Sequence, residues 1–188
     1  MRFAGGRLAA LPPDNRRALI IDVDRTVHLL DLSGGSKRPL ENVSGAIQIA
    51  FAPDGQSYVV GVGGGAQLFN AATDAPGRLL AHNGLSALVY APDGRWLLTG
   101  AQDGLARLWA ASDGREARRF GGHGGVVGAV AFSADGHQVF LGGGEDEFWT
   151  VPIDLEGFIT AVCQRTLRDL TTVEQTEYGL KDMAASCQ

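Results

Sequence analysis

Read for the alternation of apolar and polar positions, the chain consists of short apolar runs separated by turn residues as far as about residue 154, where the period changes. One phrase occurs four times, as ALPPDNRRALI, AFAPDGQSYVV, VYAPDGRWLLT and AFSADGHQVFL, and its aspartates Asp14, Asp54, Asp93 and Asp135 recur at intervals of 40, 39 and 42. A second phrase follows each one: DRTVHLLDL, GGGAQLFNA, DGLARLWAA and DEFWTVPID. It opens at Asp24, Gly63, Asp103 and Asp146, at intervals of 39, 40 and 43. Two anchors that drift together mark a genuine repeat.

Each unit reads as an apolar run, a Pro-Asp-Gly-type turn, a β-rich run, an Asp-Gly-type turn, an alternating run and a looser fourth segment. Asp-Gly pairs between such runs are strong hairpin signals, because glycine takes positive φ without steric cost. The reading is all-β. Four short strands in a unit of about 40 residues is the pattern of a propeller blade, with blades near residues 1–41, 42–81, 82–121 and 122–154.

On these residues the chain resembles the WD-repeat β-propeller family over roughly residues 7 to 154. The third unit is the best match: Ala81-His82 stands where the family has Gly-His, and LLTGAQDGLARLW ends at Trp109, where the family has Trp-Asp. The resemblance implies a structural hydrogen-bond network of His82, Thr99, Asp103 and Trp109. In the last unit it picks out His123 and Asp146, with Gly142 in the hydroxyl position. The interval from the turn aspartate there puts Pro152 in the Trp slot, with Trp149 the alternative if the strand slips by three. Leu30 and Phe69 fill the slot in the first two units, so most blades must rest on apolar packing.

After Asp154, Leu155, Phe158, Ile159, Val162 and Leu170 recur at helical spacing, with Asp154 as N-cap, which predicts a short α-helical C-terminal tail over 155–188. Thr171 to Glu174 has capping-box spacing. The tail is similar to the segment that closes many bacterial WD-repeat chains, with Val162-Cys163-Gln164 and Arg168-Asp169-Leu170-Thr171 in the corresponding places. The expected fold is therefore a partial or small propeller of about four blades plus that tail. An open arc would expose apolar blade faces and strand edges, so the ring calls for upstream blades or a second copy of the chain, unless Met1 to Phe3 complete the last blade.

Composition narrows the function. The 27 glycines fit many tight turns, and a net charge of -5 argues against a nucleic-acid surface. Arg115, Arg118 and Arg119 alternate with Glu116 and apolar residues, as on a solvated strand edge. No apolar run approaches the ~20 residues of a membrane span. Two cysteines, Cys163 and Cys187, suit a reducing, cytoplasmic setting, and a single disulfide between them stays open.

Candidate chemistry is sparse. His28 and His137 have no ligand-spaced partners for zinc. GVGGGAQ (61–67) and GGHGG (121–125) lack the Lys-Ser/Thr and the helix that make a phosphate loop work. Glu145, Asp146 and Glu147 are consecutive and alternate faces, which disfavours a cation site. No cofactor is expected. The leading reading is a non-catalytic scaffold that binds protein partners through blade loops, with Tyr58, Arg95, Trp96 and Gln102 as exposed candidates. The alternatives are the sensor end of a larger nucleotide-dependent signalling protein and, last, a propeller enzyme.

Overall fold

A computed structural model describes residues 6–121, 125–143 and 148–153, with side chains from Ala10 onward. Among the described residues fifteen strands fall into four antiparallel sheets, each a meander in chain order. The first sheet comprises β1 (Gly6–Ala10), β2 (Arg17–Asp22), β3 (Val27–Asp31) and β4 (Lys37–Pro39); the second comprises β5 (Gln48–Phe51), β6 (Ser57–Val62), β7 (Gly65–Asn70) and β8 (Pro76–Ala81). The third holds β9 (Leu85–Tyr90), β10 (Trp96–Ala101), β11 (Ala106–Ala110) and β12 (Glu116–Phe120). The fourth shows β13 (Ala129–Phe132), β14 (Gln138–Gly142) and β15 (Phe148–Pro152). Among the described residues there is no helix, and the tail expected at 155–188 lies outside them.

The four repeated aspartates perform one local task. Their carboxylates accept the amides two residues on, at Arg16, Gln56, Arg95 and His137, at 2.9–3.0 Å. The residue after each aspartate takes positive φ: Asn15, Gly55, Gly94 and Gly136. Asparagine and glycine tolerate that region best, so the turn sequence dictates the hairpin.

Successive sheets are stacked through their first strands, β1 beside β5, β5 beside β9 and β9 beside β13. The core lies in the three joints. Leu19, Ile21, Val27 and Leu29 meet Ile49, Tyr58 and Phe69 in the first; Val59, Ala66 and Leu68 meet Leu88, Leu97 and Trp109 in the second; Leu98, Ala106 and Leu108 meet Val127, Val139 and Leu141 in the third. A strand in such a stack is apolar on both faces, which is why β6 and β10 read as continuous apolar runs rather than alternating ones.

Strand register aligns the repeats residue by residue. Leu97 pairs with Trp109, Tyr58 with Phe69, Ala18 with Leu30, and Val139 with Val151. The Trp slot of the last sheet is therefore filled by Val151, not by Pro152 or Trp149. Five residues separate the paired Gly142 and Phe148, as five separate Gly100 and Ala106, so the two turns match in length and Asp146 falls one position later than Asp103. By the same register the counterpart of Thr99 is Leu141 rather than Gly142, because Thr99 pairs with Arg107 and Leu141 with Trp149.

Candidate functional site

In the third sheet the polar residues singled out by the repeat come together. His82 opens the link from β8 to β9, Thr99 sits in β10, Asp103 in the following turn and Trp109 in β11. The His82 Nδ1 lies 2.7 Å from the Thr99 Oγ1, the His82 Nε2 3.3 Å from the Asp103 Oδ1, and the Trp109 Nε1 donates to the Thr99 Oγ1 at 2.9 Å. His82 and Thr99 are fully buried. Because the Asp103 carboxylate can only accept, the proton of a neutral His82 sits on Nε2, and Nδ1 then accepts from the Thr99 hydroxyl, which itself accepts from the Trp109 indole.

The electrostatics agree with that tautomer. Burial, with Arg107 close by, holds the His82 pKa below its ordinary value despite the opposing pull of Asp103. Burial works against the Asp103 carboxylate, but the Leu105 amide, His82 and Arg107 outweigh it and keep its pKa low. Arg107 donates from Nη2 to Asp103 at 3.1 Å and from Nη1 to the Ala81 carbonyl at 3.3 Å. A hydroxyl, an imidazole and a carboxylate in series have the order of a nucleophilic triad. Here, however, the hydroxyl is sealed from solvent and capped by an indole, so the arrangement ties the inter-sheet link to the turn and offers no reacting atom.

Elsewhere the hydroxyl at the centre of this network gives way to apolar groups. The counterparts of Thr99 are Ile20, Val60 and Leu141, all buried. His123 and Asp146 lie outside the described residues. Among the described residues no three His, Cys, Asp or Glu side chains gather as a metal site.

A second polar cluster carries no repeat signature. Asp74, held at φ 54° in the turn before β8, accepts the Tyr58 hydroxyl at 3.1 Å, faces Arg17 at 3.6 Å and pairs with Arg38. Arg17 also donates to the Ala71 carbonyl. Arg17 and Arg38 belong to the first sheet and Tyr58 and Asp74 to the second, so the cluster clamps that joint. Burial and the neighbouring carboxylate push the Tyr58 pKa up, which keeps the phenol a donor.

This corrects one expectation: Tyr58 is not an exposed contact residue but fully buried, stacked on Phe69 with ring centroids 5.0 Å apart. The remaining three candidates do not share a surface. Arg95 is exposed and Trp96 half-buried at the start of β10, whereas the exposed Gln102 follows its end. A six-residue strand separates them by about 20 Å. The Arg95 end borders a cleft of about 720 Å³ between the second and third sheets, lined among others by Asp54, Ser57, Asp93, Trp96 and Ala111.

The Gln102 end is organised differently. Backbone hydrogen bonds staple the inter-sheet links to neighbouring turns: Ala46 to Arg25 (3.0 Å), Gly84 to Gly63 (2.9 Å), Gln102 to Gly84 (3.0 Å) and Val127 to Ala101 (3.0 Å). The result is a continuous rim over all four sheets, from which Val23, Arg25, Asn83, Gln102 and Val126 project into solvent.

Among the described residues, fold and network together define an all-β tandem repeat whose four meander sheets are joined by polar staples at one rim. Residues 76–110 and 114–148 match the family model for the WD domain, G-beta repeat. These two stretches, 70 of the 188 residues, are similar to WD repeats. The first match runs from β8 to β11 and the second from within the β11–β12 turn to the start of β15, so each repeat straddles two sheets.

Proposed function

We propose that this protein is a non-catalytic scaffold that recognises a protein partner on the rim containing Arg25, Asn83 and Gln102. The observation that carries the reading is the run of backbone staples across all four sheets. They fix the exposed rim groups before binding, which lowers the conformational cost of association. WD repeats generally mediate protein–protein contacts, which supports the same reading. In it the sheets are blades of a β-propeller, near 1–41, 42–81, 82–121 and 122–154, and 155–188 form a helical tail. A cytoplasmic setting accords with the two cysteines; separately, no helix among the described residues is long and apolar enough to cross a membrane.

The test is site-specific photocrosslinking in the native host. A crosslinker at Gln102 is expected to capture a discrete partner and one at Arg95 none. Capture from Arg95 alone would move the surface to the opposite end. Absence of any partner, together with turnover of a substrate by the purified chain, would reject the scaffold reading.

A further inference from the structure

At the end of the molecule opposite the rim, the first two joints carry the same recess. Asp14, Arg16, Arg17, Ala71 and Ala72 line it at the first joint. Their counterparts Asp54, Gln56, Ser57, Ala111 and Ser112 line it at the second. Register fixes the equivalence: Arg17 pairs with Asp31, Ser57 with Asn70 and Trp96 with Ala110, so Arg17, Ser57 and Trp96 hold one position in three successive sheets. In the first joint Arg17 reaches across, its guanidinium donating to the Ala71 carbonyl and facing Asp74 at 3.6 Å. In the third, Trp96 packs against the apolar core. In the second, Ser57 is too short to cross, and its hydroxyl stops at the Tyr90 hydroxyl, 3.2 Å away. The recess there measures about 720 Å³, against about 400 Å³ where Arg17 is present.

The first joint shows what such a recess holds, and charge points the same way. Its lining balances two carboxylates, Asp14 and Asp31, with Arg16 and Arg17. The lining of the second sets Asp54 and Asp93 against Arg95 alone, so it is one cation short. Arg95 is engaged with Asp93 at 2.5 Å, while the Asp54 carboxylate caps its own turn by accepting the Gln56 amide at 2.9 Å. The backbone acceptor is repeated as well: Ala71 and Ala111 both donate their amides at 2.9 Å to the strand before, at Gln56 and Arg95, which sets the two peptides alike. Gly114 takes the place of Asp74, with the same left-handed backbone, so in the second recess the carboxylates come from Asp54 and Asp93 instead. A planar fork of N–H donors satisfies a carbonyl and a carboxylate together, which a point-like ammonium does less well.

We propose that the recess between the second and third sheets binds a free guanidinium compound of about the size of arginine, its guanidinium standing where Arg17 stands in the preceding joint, donating to the Ala111 carbonyl and facing Asp54. The volume lies within the range of about 300–1,000 Å³ that holds small ligands. The site is at the end of the molecule away from Gln102, so it neither uses the partner-binding rim nor depends on it.

Isothermal titration calorimetry on the full chain reads this directly, with L-arginine as the probe. Arginine is expected to bind with a Kd below about 1 mM, and both citrulline, which keeps the shape without the charge, and lysine, which keeps the charge without the fork, at least about tenfold more weakly. Asp54→Asn keeps the acceptor its turn needs and should weaken arginine about tenfold, the loss of one charge-assisted hydrogen bond. Ser57→Arg fills the recess from within and should abolish binding. Its circular dichroism shows whether it folds, and if it does not, Asp54→Asn carries the test. No binding at about 10 mM arginine, equal binding of citrulline or lysine, an unaltered Asp54→Asn, or a folded Ser57→Arg that still binds each overturns the proposal. So does a Gly-Gly-Arg-Gly-Gly peptide that binds about tenfold more tightly than free arginine, which assigns the recess to a polypeptide. Failure here leaves the rim reading untouched, and crosslinking at Gln102 tests that separately.

Discussion

Replacing Thr99 by valine preserves shape and removes one hydroxyl, and that hydroxyl sits at the centre of the buried network. Its two shortest hydrogen bonds go with it, to the Trp109 indole donor at 2.9 Å and the His82 ring nitrogen at 2.7 Å, along with a long one to the Arg107 carbonyl at 3.4 Å. Each lost hydrogen bond is worth about 1 kcal/mol net, and a buried group left unpaired costs about 1–3 kcal/mol. The added methyl contributes roughly 0.8 kcal/mol in the other direction. Thr99→Val should therefore destabilise the protein by about 2–4 kcal/mol, read as a lower urea midpoint at unchanged m. The adjacent second sheet shows how the cost is relieved, since it combines Val60 with Phe69 and has no indole to satisfy. Thr99→Val with Trp109→Phe should accordingly fall short of the sum of the single losses by about 1–2 kcal/mol. A Thr99→Val loss below about 0.5 kcal/mol, or strict additivity in the double variant, would refute the network as a source of stability.

Acidification should act through His82: the unfolded chain takes up its proton near the ordinary value of 6.5, whereas the buried imidazole resists it. Stability is then complete above that pH and declines below it until the folded-state pKa is passed, and His82→Gln should flatten the difference in urea midpoint between pH 7.5 and 5.5. Asp74→Asn, which keeps a residue tolerant of positive φ but removes the charge facing Arg17 and Arg38, should cost about 1–2 kcal/mol, and Tyr58→Phe about 1 kcal/mol, both seen as lower midpoints. Gly65, at φ 143°, would carry a Cβ 2.1 Å from the Leu80 carbonyl, so Gly65→Ala should cost more than about 2 kcal/mol; Gly63→Ala, whose Cβ meets open space, should change Tm little.

The repeat was the legible part. Turn aspartates, glycine positions and the His82–Thr99–Asp103–Trp109 set announce themselves because side-chain chemistry recurs at fixed intervals. Two features escaped that logic. Asp74 lies 57 residues from Arg17 and in no repeated phrase, so only the stacking of the first two sheets brings them together. Tyr58 stands in SYVVGV, and in an isolated hairpin a tyrosine at such a position would be a natural surface residue. Stacking covers both faces of β6, and a nearby carboxylate accepts the hydroxyl that would otherwise need water. The Val151 slot was missed for a simpler reason: counting from Asp146 assumes that the acidic residue holds a fixed place in its turn, whereas pairing with β14 sets the position of the strand.

The offset between repeat and sheet bears on how such a chain lengthens. A segment such as 76–110 delivers the outer strand of one sheet and three strands of the next, so copying it in tandem never adds a free-standing module. Each duplicate completes its predecessor and leaves a vacancy for its successor. Growth by duplication is thereby mechanically interlocked, and a deletion cut at repeat boundaries removes a whole period while the flanking strands find equivalent partners.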